Sequence, residues 1–171
     1  EVIRVYTPGT VIEGNLLDER TNNFIAAVAG SAKSIGIAYA DLSTGEFRAA
    51  PVSGINGPAE ALSELMRIAP AECLVPKDLM AMASGAGIYL TPMDSPPSPS
   101  ESSSILLKHF NVQSLAPFGC DGLPQVIQAA AALLNYMSKT HRGGMAHITT
   151  LKTYSTASSL RLDPFTLEAL E

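Results

Sequence analysis

Three short apolar segments, separated by turns of a few residues, dominate the first third of the chain. They span residues 24–29, 35–41 and 46–52, and Gly30 and Gly45 lie in the two connections. Apolar runs of this length joined by short, Gly-containing connections predict strands paired as hairpins. Such strands run antiparallel, because a parallel crossover needs about a dozen residues or more. The sequence therefore predicts a three-stranded antiparallel unit.

The pattern then changes to a helical period. An amphipathic helix is predicted over residues 58–69, ended by Pro70, and Glu60 and Glu64 fall outside its apolar stripe as solvated charges. The stripe consists of Ala59, Leu62, Leu65, Met66 and Ala69. Residues 72–75 and 87–90 are candidate strands, and a strand that follows a helix is predicted to join the sheet in parallel.

Two further helices are predicted in the second half. Residues 91–104 are rich in proline and serine, which is typical of an exposed flexible loop. Within them, Ser98 to Glu101 fits a capping box with Pro99 at the first helical position, so a helix is predicted over 99–110 with Ile105, Leu106 and Phe110 facing inward.

The strongest helical pattern covers residues 124–142 and ends at the Gly143-Gly144 pair. Its central part is apolar on all sides, which predicts burial over much of its circumference. Extended segments are predicted over 147–154. A new helix is predicted to begin at Pro164, with Asp163 as its N-cap.

The composition indicates a globular domain with no nucleic-acid-binding surface of its own. Hydrophobic residues make up 46% of the 171 residues, enough for a sizeable core. The formal net charge is -5, and the eleven Lys and Arg residues are scattered, whereas a phosphate-binding face needs them clustered. Without a long apolar run or a signal-peptide pattern, we expect a cytoplasmic protein with no membrane association. Cys73 and Cys120 are expected to be reduced, buried thiols.

Short motifs in the first fifty residues resemble the start of the connector domain of the MutS family of DNA mismatch-recognition proteins. The motif residues are Thr7, Pro8, Gly9, Thr10, Asp18, Glu19, Asp41, Ser43 and Gly45. Similar residues continue at intervals to the end of the chain, so the resemblance covers nearly all of it.

The resemblance implies an α/β fold of the ribonuclease H-like type, in which a mixed sheet of antiparallel hairpins and parallel strands is flanked by helices. It implies three regions. Residues 1–9 are a linker or strand from the mismatch-binding domain, residues 10–142 are the connector, and residues 143–171 are the truncated start of the core or lever domain.

The same resemblance implies a non-catalytic module that couples mismatch recognition to an ATPase-linked core and offers a surface for MutL. The parent protein would bind mismatched duplex DNA, ATP and Mg²⁺ through other domains, hydrolyse ATP in a DNA-dependent reaction and form a homodimer. No catalytic, cofactor or metal residues are expected in this chain.

A metal-dependent nuclease is the alternative, because ribonuclease H-like nucleases place several carboxylates around a divalent-metal pair. Asp41, Glu64 and Asp78, with Glu60 as a substitute for Glu64, are the candidate ligands. The run from Asp41 to Gly45 is equally a turn signature, in which Asp and Ser bond the nearby backbone and Gly takes a positive φ. This favours a structural role for Asp41.

Three other motifs lack the residues that their chemistry needs. Residues 30–34 are similar to the end of a phosphate-binding loop, but Ala32 stands where that loop has a glycine before its lysine. Residues 85–90 lack the third glycine of a dinucleotide fingerprint. His109, His141 and His147 show no metal-ligand spacing and are expected to be solvated or capping.

Overall fold

The structure, a computed structural model, describes residues 23–141 and 145–156, which form a mixed sheet with four helices. The strands are β1 (Phe24–Ser31), β2 (Ser34–Asp41), β3 (Glu46–Pro51), β4 (Glu72–Pro76), β5 (Tyr89–Met93) and β6 (Lys152–Thr153). The helices are α1 (Gly57–Ile68), α2 (Met80–Ala83), α3 (Pro99–Phe110) and α4 (Pro124–Thr140), and 3-10 turns cover Lys77–Leu79 and Ala116–Phe118. Among these described residues, no helix is long and apolar enough to cross a membrane.

The six strands lie in the order β5-β4-β1-β2-β3-β6. Antiparallel pairing joins β1 to β2 and β2 to β3, as the hairpin spacing predicts. Parallel pairing joins β1 to β4, β4 to β5 and β3 to β6, so β2 alone runs against the other five. The mixed sheet of hairpins and parallel strands is therefore confirmed, and it is consistent with the ribonuclease H-like fold that the resemblance implies.

Apolar side chains cover both faces of the central strands, and alternate residues of each strand point to opposite faces. One face packs against α3 and α4, and the other packs against α1. On β1, Ile25, Ala27 and Ala29 belong to the α4 side, whereas Ala26 and Val28 belong to the α1 side. Many of these side chains are alanines, so the helices approach the sheet closely.

One such close approach is at Gly36 on β2. A Cβ atom at this position would overlap the backbone carbonyl of Gln125 and lie 2.7 Å from the Val126 nitrogen, both in the first turn of α4. Gly36 therefore lets the N-terminal turn of α4 rest directly on the sheet. The burial of α4 on most of its circumference, predicted from its sequence, is confirmed from Val126 to Met137.

The predicted apolar stripe of α1 is wrong. Ala59, Met66 and Ala69 are exposed, and only Leu65 of the stripe is fully buried. The buried face is instead Ala61, Glu64, Leu65 and Ile68. This face has the regular spacing of i, i+3, i+4 and i+7, and it includes a carboxylate that the sequence pattern assigns to solvent.

The proline-rich segment is only partly the flexible loop that its composition predicts. Its first residues belong to β5, which runs to Met93. Further on, the Pro97 carbonyl accepts hydrogen bonds from the Ser102 hydroxyl at 3.2 Å and from Gln128 Nε2 at 3.0 Å. The capping box that begins α3 is confirmed, since Ser98 and Glu101 exchange both of its hydrogen bonds. Leu106 is buried, and Ile105 and Phe110 pack against the same core.

The segment after α4 lies on the sheet rather than away from it. Ile148 and Leu151 are each only 2% exposed and belong to the core on the α4 side. The following β6 pairs with the outer edge of β3. The predicted domain boundary at residue 142 stays a prediction, while the described residues 145–156 contact the same sheet as the residues before them. The helix predicted to begin at Pro164 lies outside the described residues.

Candidate functional site

Asp41, the first carboxylate of the nuclease alternative, ends β2 and caps the turn that follows. Its Oδ1 accepts hydrogen bonds from the Ser43 amide at 2.8 Å and from the Ser43 hydroxyl at 2.6 Å. The Gly45 amide donates to the Asp41 carbonyl at 2.9 Å, and Gly45 has a φ of 79°. The predicted turn is therefore confirmed. Asp41 Oδ2 is buried and has no hydrogen-bond partner within the described part of the chain.

The three candidate carboxylates do not form one cluster. Asp41 pairs with the first residue of β1, whereas the exposed Asp78 follows the last residue of β4, which runs parallel to β1. At about 3.3 Å per strand residue, the two carboxylates lie at opposite ends of the strands, roughly 15 Å or more apart. Glu64 is buried on α1 among other partners. Residues 23–141 and 145–156 contain no group of three or more His, Cys, Asp or Glu side chains that could hold a metal ion.

Glu64 belongs instead to a mixed aromatic and ionic group that we call the junction cluster. It consists of Phe24, Tyr39, Glu64, Arg67 and Tyr154. The ring of Tyr39 lies between the rings of Phe24 and Tyr154, with centroid distances of 5.0 Å and 6.0 Å. Both ring pairs are edge-to-face, the arrangement that aromatic quadrupoles favour.

The junction cluster joins distant parts of the chain. Phe24 begins β1, Tyr39 is near the end of β2, and Tyr154 follows β6. The Tyr154 hydroxyl donates to Glu64 Oε1 at 2.6 Å, and the Arg67 guanidinium lies 5.8 Å from the centre of the Tyr154 ring. The start of the first strand and the end of the last strand are therefore held together on the α1 side of the sheet.

Glu64 is ionised in this setting although it is buried. Burial opposes ionisation, but hydrogen bonds from Arg67 and Tyr154 outweigh it, and together they lower the pKa of the Glu64 carboxyl. Arg67 supplies two of these contacts, from Nε at 3.1 Å and from Nη2 at 2.5 Å. The pKa of Arg67 is raised, first by its hydrogen bond to Glu64. The pair is a charge-assisted fork of the kind that fixes geometry.

The two tyrosines of the cluster stay protonated. Burial raises the pKa of Tyr39, and burial together with the hydrogen bond to Glu64 raises the pKa of Tyr154. Tyr154 therefore acts as a hydrogen-bond donor at every physiological pH. The cluster positions backbone segments through packing and hydrogen bonds.

Several other hydrogen bonds attach the last described segment to the domain. His109 Nε2 lies 2.8 Å from the Ile148 carbonyl, so this histidine is structural rather than solvated. The Thr153 hydroxyl donates to the Phe118 carbonyl. The Ser53 amide donates to the Thr156 hydroxyl at 3.2 Å.

Another buried carboxylate, Glu72 at the start of β4, accepts hydrogen bonds from Thr91 at 2.7 Å and from Tyr136 at 2.5 Å. It lies beside a groove of about 740 Å³ between β4, β5, α3 and α4. Residues such as Leu74, Pro97 and Ile105 line this groove.

The remaining sequence candidates are structural or lie outside the described residues. Residues 30–34 contain the tight hairpin between β1 and β2. Cys73 and Cys120 are free and buried, as expected, and burial raises the pKa of the Cys73 thiol to about 12. The family-motif residues Thr7, Pro8, Gly9, Thr10, Asp18 and Glu19 lie outside the described residues.

Sequence reasoning missed the junction cluster because its members are far apart in the chain. Tyr154 meets Glu64 across 90 positions, and no periodic pattern marks such a pair. The one local signal is the spacing of Glu64 and Arg67, which lie three residues apart on a helix and can pair.

The model of the family described as MutS domain II matches residues 23–149 of the chain. The matched range includes β1 to α4 and the inner part of the segment that follows.

Curated relatives named DNA mismatch repair protein MutS match over the whole chain. The protein of Syntrophomonas wolfei subsp. wolfei is 38% identical over 100% of this chain and 21% of its own length. The protein of Thermosynechococcus vestitus is 39% identical over the same share of each. The protein of Symbiobacterium thermophilum is 35% identical over 100% of the chain and 20% of its own length. The chain thus spans about a fifth of the length of these relatives.

Proposed function

This chain belongs to the MutS family and carries its domain II, and from that premise we propose that it is a non-catalytic connector that transmits mechanical change between the domains on either side of it. The family match carries the assignment to DNA mismatch repair. The junction cluster supports the mechanical role, because it ties the start of β1 to the segment after β6. A displacement of either segment would therefore act on the other through Tyr39.

The rigidity of the domain also supports this role. The central strands and α4 are closely packed, and the Gly36 contact leaves no space between sheet and helix. A tightly packed body transmits strain rather than absorbing it. The connector would thus act as one unit.

The wider activity belongs to the parent protein. We propose that the parent is a cytoplasmic homodimer that binds mismatched duplex DNA, ATP and Mg²⁺ through its other domains and hydrolyses ATP. The connector would couple these two sites and would present part of the surface that binds MutL. The chain's net charge of -5 supports the view that DNA is held elsewhere.

Coupling is tested by making one attachment flexible in the full-length protein. A short Gly/Ser insertion after Thr156 should leave mismatch binding and basal ATP hydrolysis intact, because neither site is touched. The mismatch-dependent change in ATP hydrolysis should be lost, since a flexible linker does not transmit displacement.

The matched control is the same insertion between Gly85 and Ala86. This turn is open, since a Cβ at Gly85 would meet nothing within 4 Å. The control should keep mismatch-dependent hydrolysis. If the insertion after Thr156 also keeps it, the connector does not transmit the signal through this attachment.

The nuclease alternative is tested separately. The purified chain is incubated with Mg²⁺ or Mn²⁺ and with duplex, branched or hybrid nucleic acid. We expect no cleavage, because Asp41 and Asp78 lie at opposite ends of the strands. Cleavage that disappears in Asp41→Asn would support the nuclease and contradict the connector proposal.

A further inference from the structure

Residues 145–156, which we call the strap, are held to the domain in two different ways. The inner strap, residues 145–151, is anchored by the buried side chains of Ile148 and Leu151. The outer strap, residues 152–156, has mostly half-buried or exposed side chains and contains only the two-residue strand β6. Apolar burial therefore holds the inner strap, whereas hydrogen bonds and the packing of the Tyr154 ring hold the outer strap.

The hydrogen bonds of the outer strap reach three separate elements. The Tyr154 amide donates to the Ala49 carbonyl of β3 at 3.0 Å, and its hydroxyl donates to Glu64 of α1. Thr153 donates to the Phe118 carbonyl, and Thr156 accepts from the Ser53 amide. Water replaces such bonds at small net cost, whereas it does not replace the burial of Ile148 and Leu151.

We infer that the outer strap is a latch that opens as a unit while the inner strap stays docked. The inference rests on the proposed function in one respect. The latch would be the moving part through which a displacement of the chain after Thr156 reaches the domain. When the latch opens, Tyr154 leaves Tyr39 and Glu64, and the outer edge of β3 loses its partner. The contact between the two ends of the junction cluster is thereby broken.

Glu64 and Arg67 make the latch reversible. In the closed state Glu64 is 6% exposed and accepts from both Arg67 and Tyr154. Arg67 lies on the same helix, so it keeps its bond to Glu64 when Tyr154 leaves. The carboxylate is then not left without a partner, and it is already oriented for Tyr154 to return.

The latch is tested by hydrogen exchange in the full-length protein. Tyr154→Phe removes one hydroxyl and keeps the ring. It should raise amide exchange over residues 152–156 and at Ser53 by about tenfold or more, because a hydrogen bond to a charged group is lost. Exchange over residues 148–151 and in β1 and β2 should not change.

Tyr136→Phe is the matched control, because it removes another tyrosine hydroxyl bonded to a buried glutamate, Glu72. It should leave the outer strap unchanged. The inference is overturned if Tyr154→Phe has no effect there, if exchange rises equally in β1 and β2, or if Tyr136→Phe raises outer-strap exchange as much.

A reversible lock gives a second, independent test. The Cβ of Thr153 lies 3.5 Å from the position of a Cβ on Gly119, within the range of about 3.5–4.5 Å for disulfides. Gly119→Cys with Thr153→Cys, made in a Cys120→Ala background, should cross-link and close the latch. Gly119 has a φ of 78°, so a cysteine there is strained. The strain is present in both the oxidised and the reduced variant, so it does not affect the comparison between them.

Oxidation of the locked variant should suppress mismatch-dependent ATP hydrolysis, and a reductant should restore it. Equal coupling in both states would overturn the latch. The insertion after Thr156 separates the two proposals. If that insertion abolishes coupling while the locked variant couples normally, the connector transmits without a latch. If the insertion keeps coupling, the proposed function itself fails.

Discussion

At the scale of single residues, Glu64 shows how the domain buries a charge by supplying it with partners. Glu64 lies in an otherwise apolar helix face, yet Arg67 and Tyr154 satisfy its carboxylate. A buried carboxylate without such partners would cost several kcal/mol. This is why a sequence pattern that sorts residues only by polarity places Glu64 in solvent.

Glu64→Gln should destabilise the domain by about 1–3 kcal/mol at neutral pH, because the charge-assisted bonds are lost. The lowered pKa of Glu64 means that its contribution is present above the unfolded value of about 4.3 and is lost as pH falls through the folded pKa. The difference in unfolding free energy between the wild type and Glu64→Gln should therefore become smaller at acid pH. Urea unfolding at neutral and acid pH measures it.

Glu60→Gln on the same helix is the control for this experiment. Glu60 Oε2 has no hydrogen-bond partner within the described ranges. Glu60→Gln should therefore lower the unfolding free energy at neutral pH by less than Glu64→Gln does. A gap for Glu64→Gln that stays constant down to strongly acid pH would show that its carboxylate does not stabilise the fold by being ionised.

Gly36→Ala should cost about 3 kcal/mol, at the upper end of overpacking effects, because the new Cβ meets the backbone of α4. Gly122→Ala is the control, since its φ of 78° strains a side chain but nothing lies within 4 Å, and about 1 kcal/mol is expected. The midpoints of urea unfolding give both losses in stability, provided that the dependence of the unfolding free energy on urea concentration is unchanged. Equal losses would mean that α4 moves away at little cost.

At the scale of helices and strands, short sequence motifs predicted more of the structure than composition did. The hairpins followed from apolar runs and short Gly-containing turns, and α3 followed from the Ser98 capping box. The face of α1 did not follow, because burial of Glu64 depends on Tyr154, which a local window does not contain. Likewise, composition alone missed the attachment of Pro97, which depends on Gln128 of α4.

Ser98→Ala should destabilise the domain by about 1 kcal/mol through loss of the N-cap of α3. The Ser98 hydroxyl accepts from the Glu101 amide at 3.3 Å, and the Ser98 amide donates to Glu101 Oε2 at 2.9 Å. Ser104→Ala, at an exposed site within the same helix, should be neutral or slightly stabilising. Thermal unfolding compares them, and a Ser98→Ala midpoint equal to that of Ser104→Ala would contradict a role for the cap.

At the scale of the whole molecule, the two ends of the described chain are linked on one face of the sheet through the rings of Phe24, Tyr39 and Tyr154. The antiparallel pairing of β1, β2 and β3 and the parallel addition of β4 and β5 follow from the connections between them, which the sequence shows. The return of residues 145–156 to β3 and α1 is not visible in sequence, because β6 has only two residues and its anchors are single side chains. The sequence therefore indicated the central domain but not the segment that joins its two ends.

Truncation tests where the domain ends. A chain ending at Thr156 should unfold at nearly the same urea concentration as the full 171 residues, because every described contact is kept. A chain ending at His141 should lose about 3–6 kcal/mol, since two fully buried aliphatic side chains, Ile148 and Leu151, are removed. A chain ending at Leu151 keeps both buried side chains. Its stability should lie between those of the other two, closer to that of the chain ending at Thr156. If the chain ending at His141 is as stable as the others, the strap does not belong to the core and the boundary lies at residue 142.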